Sequence, residues 1–555
     1  MAPSTRIALL AGVAFGLAAA APLRAQQILY DFAGFGGAHF GWHSDTLGDI
    51  NGDNFPDLIA GAPEDNFFVP EAGRVIVFSG RDGSQLFELF GEHTLDHFGE
   101  YVSGPGDVNS DGIPDFLVGA PFGDGHTVDS GYAELRSGAD ASVLLRFDGD
   151  LPGDTFGDTV EAAGDTNADG RMDFIVGGRG SDGNGLDSGI ARIYSGLDGS
   201  ILRTFYGSGP GALFGSATDG VGDVNGDGHD DVIVGARGAS VNGMSRAGMA
   251  VIYSGLDGSV LLEIDGRAAG DGLGKGASGL GDVNGDGTID VAVGAWQVFN
   301  TTPSNRGYVL VIDGTDGHEI YQVTGDHPLD TMGTWVDGAG DANRDGYLDF
   351  AVGSARYDCF DVDTGQLRVF SGKDGSLIYL MCGLSGGDGL GHMVSLAGDV
   401  NQDGYDDVTA GSYWNDLVGH DAGATYVFSG CPAVLERVGT DLVGSNGLPP
   451  NLAGCGTLEG GDRLTLRMIN ARPQALAALI VGLSQIDKPF KGGLLVPAPD
   501  VLIVLPTGLA GTIDIDHPWP QGVPSGFQTF YQFWVNDPGA PTGWAASNAL
   551  RAVTP

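Results

Sequence analysis

Residues 98–121 read FGEYVSGPGDVNSDGIPDFLVGAP. Phe98-Gly99 stands eight residues before Asp107, an acidic loop runs from Asp107 to Asp115, and the apolar run Phe116-Leu117-Val118 ends in Gly119-Ala120-Pro121. The same layout recurs along the chain. Asp49, Asp107, Asp165, Asp223, Asp282, Asp341 and Asp399 each follow a Gly, at spacings of 58, 58, 58, 59, 59 and 58 residues. Eight residues ahead of each lies a Gly with an apolar predecessor: Phe40-Gly41, Phe98-Gly99, Phe156-Gly157, Phe214-Gly215, Leu273-Gly274, Met332-Gly333 and Leu390-Gly391. Self-similarity at a fixed period marks a repeat architecture, read before any single element.

Each unit holds four short β-strand signals and no helical period. In the first unit a strand such as Arg74 to Phe78 is followed by Ser79-Gly80-Arg81-Asp82-Gly83-Ser84, whose Asp-Gly pair signals a hairpin, and then by Gln85 to Phe90. Four antiparallel strands per unit describe a propeller blade, so the expectation is an all-β, seven-bladed β-propeller with a C-terminal β-sandwich-like module. The 98 glycines supply its turns. The seventh unit breaks at Cys431-Pro432 without a fourth strand, and Ile28 to Phe32 lies where one belongs. This N-terminal strand is expected to close blade 7 and remove both open sheet edges.

Each acidic loop reads D-x-N-x-D-x-x-x-D. The candidate metal ligands are Asp49, Asn51, Asp53 and Asp57; Asp107, Asn109, Asp111 and Asp115; Asp165, Asn167, Asp169 and Asp173; Asp223, Asn225, Asp227 and Asp231. The last three sets are Asp282, Asn284, Asp286 and Asp290; Asp341, Asn343, Asp345 and Asp349; Asp399, Asn401, Asp403 and Asp407. Side chains at positions 1, 3, 5 and 9 with a carbonyl at 7 give all-oxygen ligation, which suits calcium, up to seven ions, and disfavours zinc and copper. Position 6 is Gly in six loops and Asn54 in the first, residues that accept the left-handed turn. Asx-turns without an ion are the alternative, at the expense of repulsion among three carboxylates.

The apolar-Gly pair, the acidic loop and the Gly-Ala-Pro resemble the FG-GAP repeats of integrin α-subunit propellers over about residues 28–431. The resemblance implies calcium loops between the first and second strands of each blade, and partners on the opposite face. The third residue of Gly-Ala-Pro departs from the pattern: Pro63 and Pro121 keep it, while Arg179, Arg237, Trp296, Ala355 and Tyr413 replace it. Arg179, Arg237, Trp296 and Tyr413 are the candidate ligand-binding residues, guanidinium donors beside aromatic platforms that suit sugars or acidic protein partners. The variable loops that carry them include residues 296–303 and Tyr413-Trp414-Asn415-Asp416.

Catalytic signals are weak. Gly383-Leu384-Ser385-Gly386-Gly387 fits GxSxG, but no helix follows to build a nucleophile elbow. His39 with His43 and His93 with His97 sit four apart, a spacing without meaning on strands. No catalytic residue is assigned.

The 72 acidic against 26 basic residues, a net charge of -46, argue against nucleic acid and anionic lipid. Ile7 to Ala21 is apolar after Arg6, and Leu23-Arg24-Ala25 offers a cleavage point, so residues 1–25 read as a signal peptide. Residues 26–431 are then the propeller and 432–555 a β-rich domain with segments such as Leu464–Met468 and Val501–Leu505. Export permits disulfides; four Cys allow three pairings, of which Cys359 with Cys382 and Cys431 with Cys455 is expected. The expected protein is a monomer, secreted or at the cell surface, with a periplasmic location open. It binds an extracellular protein or glycan without catalysis and inserts into no membrane. The alternative is a lectin or polysaccharide-cleaving enzyme using the variable loops.

Overall fold

The computed structural model describes residues 28–298, 305–359, 362–416 and 418–430, and further stretches between 435 and 553. The expected signal peptide, Cys431 and the segment 299–304 lie outside the described residues. Every described regular element is a β-strand.

The first unit shows how sequence becomes sheet. After β1 (Ile28–Ala33) come β2 (Ser44–Gly48), β3 (Asp57–Ala62), β4 (Arg74–Phe78) and β5 (Gln85–Phe90), and β2 to β5 form an antiparallel sheet in chain order. All six residues of β3 are buried, and the equivalent strands Asp115–Ala120, Asp173–Gly178, Asp231–Ala236, Asp290–Ala295 and Asp407–Ser412 are buried throughout too. A second strand is covered on both faces by neighbouring sheets, so it is written as a continuous apolar run; β5, at the outer edge, is half exposed.

Five further sheets repeat this order, and in the seventh β1 pairs antiparallel with Ala424–Phe428, matching Tyr30 to Val427 and Phe32 to Thr425. Strand β1 holds the place of a fourth strand: Tyr30 Oη donates to the Gly80 carbonyl (2.7 Å), as Tyr321 on a true fourth strand donates to that of Gly372 (2.6 Å).

Neighbouring sheets meet through glycine. The Gly of each apolar-Gly pair has a left-handed backbone, φ +79° at Gly41 and +89° at Gly99. It lies against the penultimate residue of the second strand of the preceding sheet, also a Gly: Gly61 on Gly99, Gly119 on Gly157, Gly177 on Gly215, Gly235 on Gly274, Gly294 on Gly333, Gly353 on Gly391 and Gly411 on Gly41. A Cβ on Gly61 would overlap the Gly99 carbonyl.

Beyond residue 434, a five-stranded sheet containing Leu476–Gly482, Gln528–Asn536 and Trp544–Val553 and a three-stranded sheet containing Arg463–Ile469 share one core of Leu464, Leu466, Leu479, Phe533 and Leu550. This is the sandwich-like module. Trp534 is fully buried in it. Cys359 and Cys382 form a disulfide.

Two outcomes test this architecture. Removal of residues 28–33 exposes an edge on the seventh sheet and is expected to lower the Tm by at least several degrees in calorimetry; an unchanged melt overturns the role of β1. Gly61→Ala forces two backbones apart and is expected to cost more than about 3 kcal/mol in urea unfolding, whereas Gly153→Ala, which would meet nothing, costs only the strain of its positive φ.

Candidate functional site

The acidic loops join the first and second strand of every sheet, as 49–57 joins β2 to β3, and so share one face with the hairpin turns. In the second loop Asp107 accepts the N–H groups of Asp111 (3.1 Å) and Gly112 (2.9 Å), and Asn109 Oδ1 accepts that of Asp111 (2.8 Å). Asn54 takes φ +69°, the left-handed turn that glycine takes in the other loops. The ninth-position aspartate has a structural task as well. Asp57 Oδ1 accepts the N–H of Gly80 (3.1 Å) at the Ser-Gly after β4, and Asp115, Asp173, Asp231, Asp349 and Asp407 do the same to Gly138, Gly196, Gly255, Gly372 and Gly430. In the fifth sheet Asp313 replaces the serine, Gly314 donates instead to the Ile289 carbonyl, and Asp290 Oδ1 is left buried without a partner.

These loops offer only hard oxygen donors, with unpartnered oxygens on Asn167 and Asp290. Burial, with neighbouring aspartates, pushes Asp290 up to about 7 and Asp349 and Asp407 up to about 8. Hard oxygen donors, with an oxygen of Asp290 unpartnered and three ninth-position carboxylates disfavoured in their charged form, fit a calcium ion. In no loop do the three carboxylates lie mutually within 4.8 Å; among the described residues the one acid and imidazole group that does is Asp416, His420 and Asp421.

The loops after the second and fourth strands build the other face. Here Arg179, Arg237, Trp296 and Tyr413 come together around one cavity of about 260 Å³, and Ala355, the fifth departure from Gly-Ala-Pro, lines it too. Sequence reasoning missed the rest of the wall. The residue after each apolar-Gly pair, Trp42, Glu100, Asp158, Ser216, Lys275, Thr334 and His392, lines the same cavity. That position was readable: it sits beside an inward-facing glycine in every unit and varies in chemistry.

Arg179 forms an ion pair with Asp158 and lies 3.9 Å from Glu100; Asp158 holds its guanidinium charged. Arg237 stacks over Trp296, 5.5 Å from the ring centroid, and Lys275 Nζ stands 4.5 Å from that of Trp335. Neither has a carboxylate within ion-pair distance among the described residues. Burial and the nearby arginines push Lys275 down to about 7, and burial and Arg179 push Arg237 down to about 10.

Below this mouth the residues four after each glycine, Asp45, Ser103, Glu161, Asp219, Ser278, Asp337 and Ser395, form a polar ring bordering a chamber of about 70 Å³. Ser103 donates to Glu161 (2.6 Å), Ser278 to Asp337 (2.9 Å) and Ser395 to Asp45 (2.7 Å), while the Gly279 N–H reaches Asp219 (3.0 Å). His43 stacks on Tyr101 between the tiers, with centroids 3.7 Å apart, and burial pushes it down to about 3, so it is a neutral ring. Ser385 of GxSxG is exposed on a turn where its N–H donates to Asp388; the exposed His93 pairs with Asp96, and the largely buried His39 and His97 pair with Glu64 and Glu100.

Residues 40–78, 101–133 and 214–253 match the FG-GAP repeat family. These are FG-GAP repeats. The chain is 29% identical to integrin alpha-5 of Xenopus laevis over 238 residues, 39% of this chain and 21% of that protein. It is 28% identical to integrin alpha pat-2 of Caenorhabditis elegans over 284 residues, 49% of this chain and 19% of that protein. With integrin alpha-V of Gallus gallus it shares 28% over 233 residues, 39% and 22% of the two chains. The similarity spans about a fifth of the length of these relatives. The FG-GAP glycines are the ones at the sheet contacts, so the repeat signature reports blade packing.

The titration of the acid ring is testable. Burial, with Asp337 nearby, pushes Asp45 and Asp219 up to about 7 from an ordinary 3.8. A raised value means stability present below about pH 4 and lost as pH rises through 7. Asp219→Asn is therefore expected to raise the Tm at pH 7.5 and leave it nearly unchanged at pH 4; equal shifts at both values overturn the assignment.

Proposed function

We propose that this chain is an exported, calcium-stabilised adhesion propeller that binds an extracellular macromolecule without chemical turnover. Residues 1–25 are its leader, 26–431 the propeller and 432–555 a separate β-rich domain, and the protein acts as a monomer outside the cell. One observation carries the reading. The face opposite the acidic loops bears exposed apolar side chains on loop after loop, among them Phe68 and Leu186, each 69% exposed, with Leu95, Val128, Leu329 and Val362. Such side chains around an aromatic cavity suit a protein or glycan interface, whose cores are enriched in aromatic and apolar side chains. The similarity to integrin alpha subunits supports the same assignment. No helix of the described residues is long and apolar enough to cross a membrane.

Calcium fits the role as a brace. The cation would be held by the side chains at positions 1, 3, 5 and 9 of the loops, neutralising carboxylates on a chain of net charge -46. The aromatic cavity also favours the alternative, carbohydrate binding or cleavage.

The test uses residues 26–555 on an array of extracellular proteins and glycans, in calcium and in chelator, with glycan cleavage followed in parallel. Calcium is expected to raise the Tm by several degrees and to support retention that Arg179→Ala and Trp296→Ala abolish. Cleavage of a glycan, or retention untouched by these variants, overturns the reading.

A further inference from the structure

The protein has only 26 Lys and Arg in 555 residues, yet Arg179, Arg237, Lys275 and Arg356 all line the 260 Å³ cavity, against the two acids Glu100 and Asp158. Arg179 is satisfied by Asp158. Arg237 and Lys275 are not: each lies over an indole, and among the described residues no carboxylate is within ion-pair distance of either. Both line one partly desolvated cavity, where burial and the neighbouring guanidinium groups disfavour their charged forms unless an anion joins them.

The walls define what else that anion carries. Trp42, Trp296, Trp335 and Trp414 line it with flat apolar rings, and Ser216, Thr331 and Thr334 add hydroxyls, those of Ser216 and Thr334 donating to backbone carbonyls and keeping lone pairs to accept from a ligand. The volume lies just under the roughly 300 to 1,000 Å³ of drug-sized sites, room for about one ring. An aspartate or glutamate side chain would leave the aromatic walls bare. A neutral sugar would leave the cations unpaired. A pyranose with a carboxylate satisfies both, its C–H face on the indoles, its hydroxyls on Ser and Thr, and its carboxylate between Arg237 and Lys275.

We propose that the axial cavity binds a hexuronate unit of an acidic polysaccharide, with Arg237 and Lys275 as the carboxylate anchors. This deepens the reading of this face as a binding surface and rests on it.

Calorimetric titration of residues 26–555 in calcium tests it with three probes: tri-galacturonate, its methyl ester and a glutamate-rich peptide. Tri-galacturonate is expected to bind, the neutral methyl ester at least about tenfold more weakly, and the peptide not measurably. Arg237→Gln and Lys275→Gln should each reduce affinity about tenfold or more, with the Tm of the free protein unchanged or raised. If Lys275→Gln does not fold, Arg237→Gln decides alone. Equal binding of the methyl ester, preference for the peptide, or no heat with millimolar tri-galacturonate overturns the proposal. Array retention that survives a failed titration leaves the binding face standing and removes only the uronate. An array with no retention at all removes the broader reading, while the titration still decides the cavity.

Discussion

The structure depends on how closely two backbones approach. At each junction between sheets, the penultimate glycine of one second strand lies directly on the glycine of the next apolar-Gly pair, and a Cβ at Gly61, Gly119 or Gly353 would overlap the facing carbonyl. This contact fixes the distance between blades, and with it the pitch from one sheet to the next. The facing residue must be glycine twice over, because its φ is positive as well as its surroundings full. The last contact, Gly411 on Gly41, joins residues about 370 positions apart in the chain by the same geometry as the first.

Because the first strands are held at the centre by these contacts, the side chains just beyond each glycine line the axis. One residue on stands the mixed wall of tryptophan, lysine and acids at the mouth; four on stands the ring of carboxylates and serines. The two tiers have opposite character. In the lower one, serine hydroxyls and backbone amides satisfy the acids, while burial still disfavours their charge. In the upper one, Arg237 and Lys275 meet aromatic faces instead of carboxylates. A satisfied ring is a structural element, and an unsatisfied pair of cations is a place for a ligand.

The acidic loops were legible from their spacing as turns that carry hard oxygen donors between the first and second strands. Their second task was not. The bond from the ninth-position aspartate to the glycine after the third strand links two turns of one sheet 23 residues apart, and it is missing at Asp290 in the one unit where Asp313 stands in place of the serine. The pattern D-x-N-x-D-x-x-x-D contains no trace of this partner, because the partner is a backbone amide whose place is set by the hairpin.

The sequence by itself determined the repeat, the strand order within each unit, the all-β class and the loop donors, since these depend on local periodicity and turn chemistry. It also singled out Arg179, Arg237, Trp296 and Tyr413 through their departure from Gly-Ala-Pro. Only the tertiary structure brought these four to one cavity, added Trp42, Lys275 and Trp335, and placed β1 beside Ala424–Phe428. Residues on seven different units become neighbours only when the sheets surround a common axis, and no local pattern records which side chains will face one another across it.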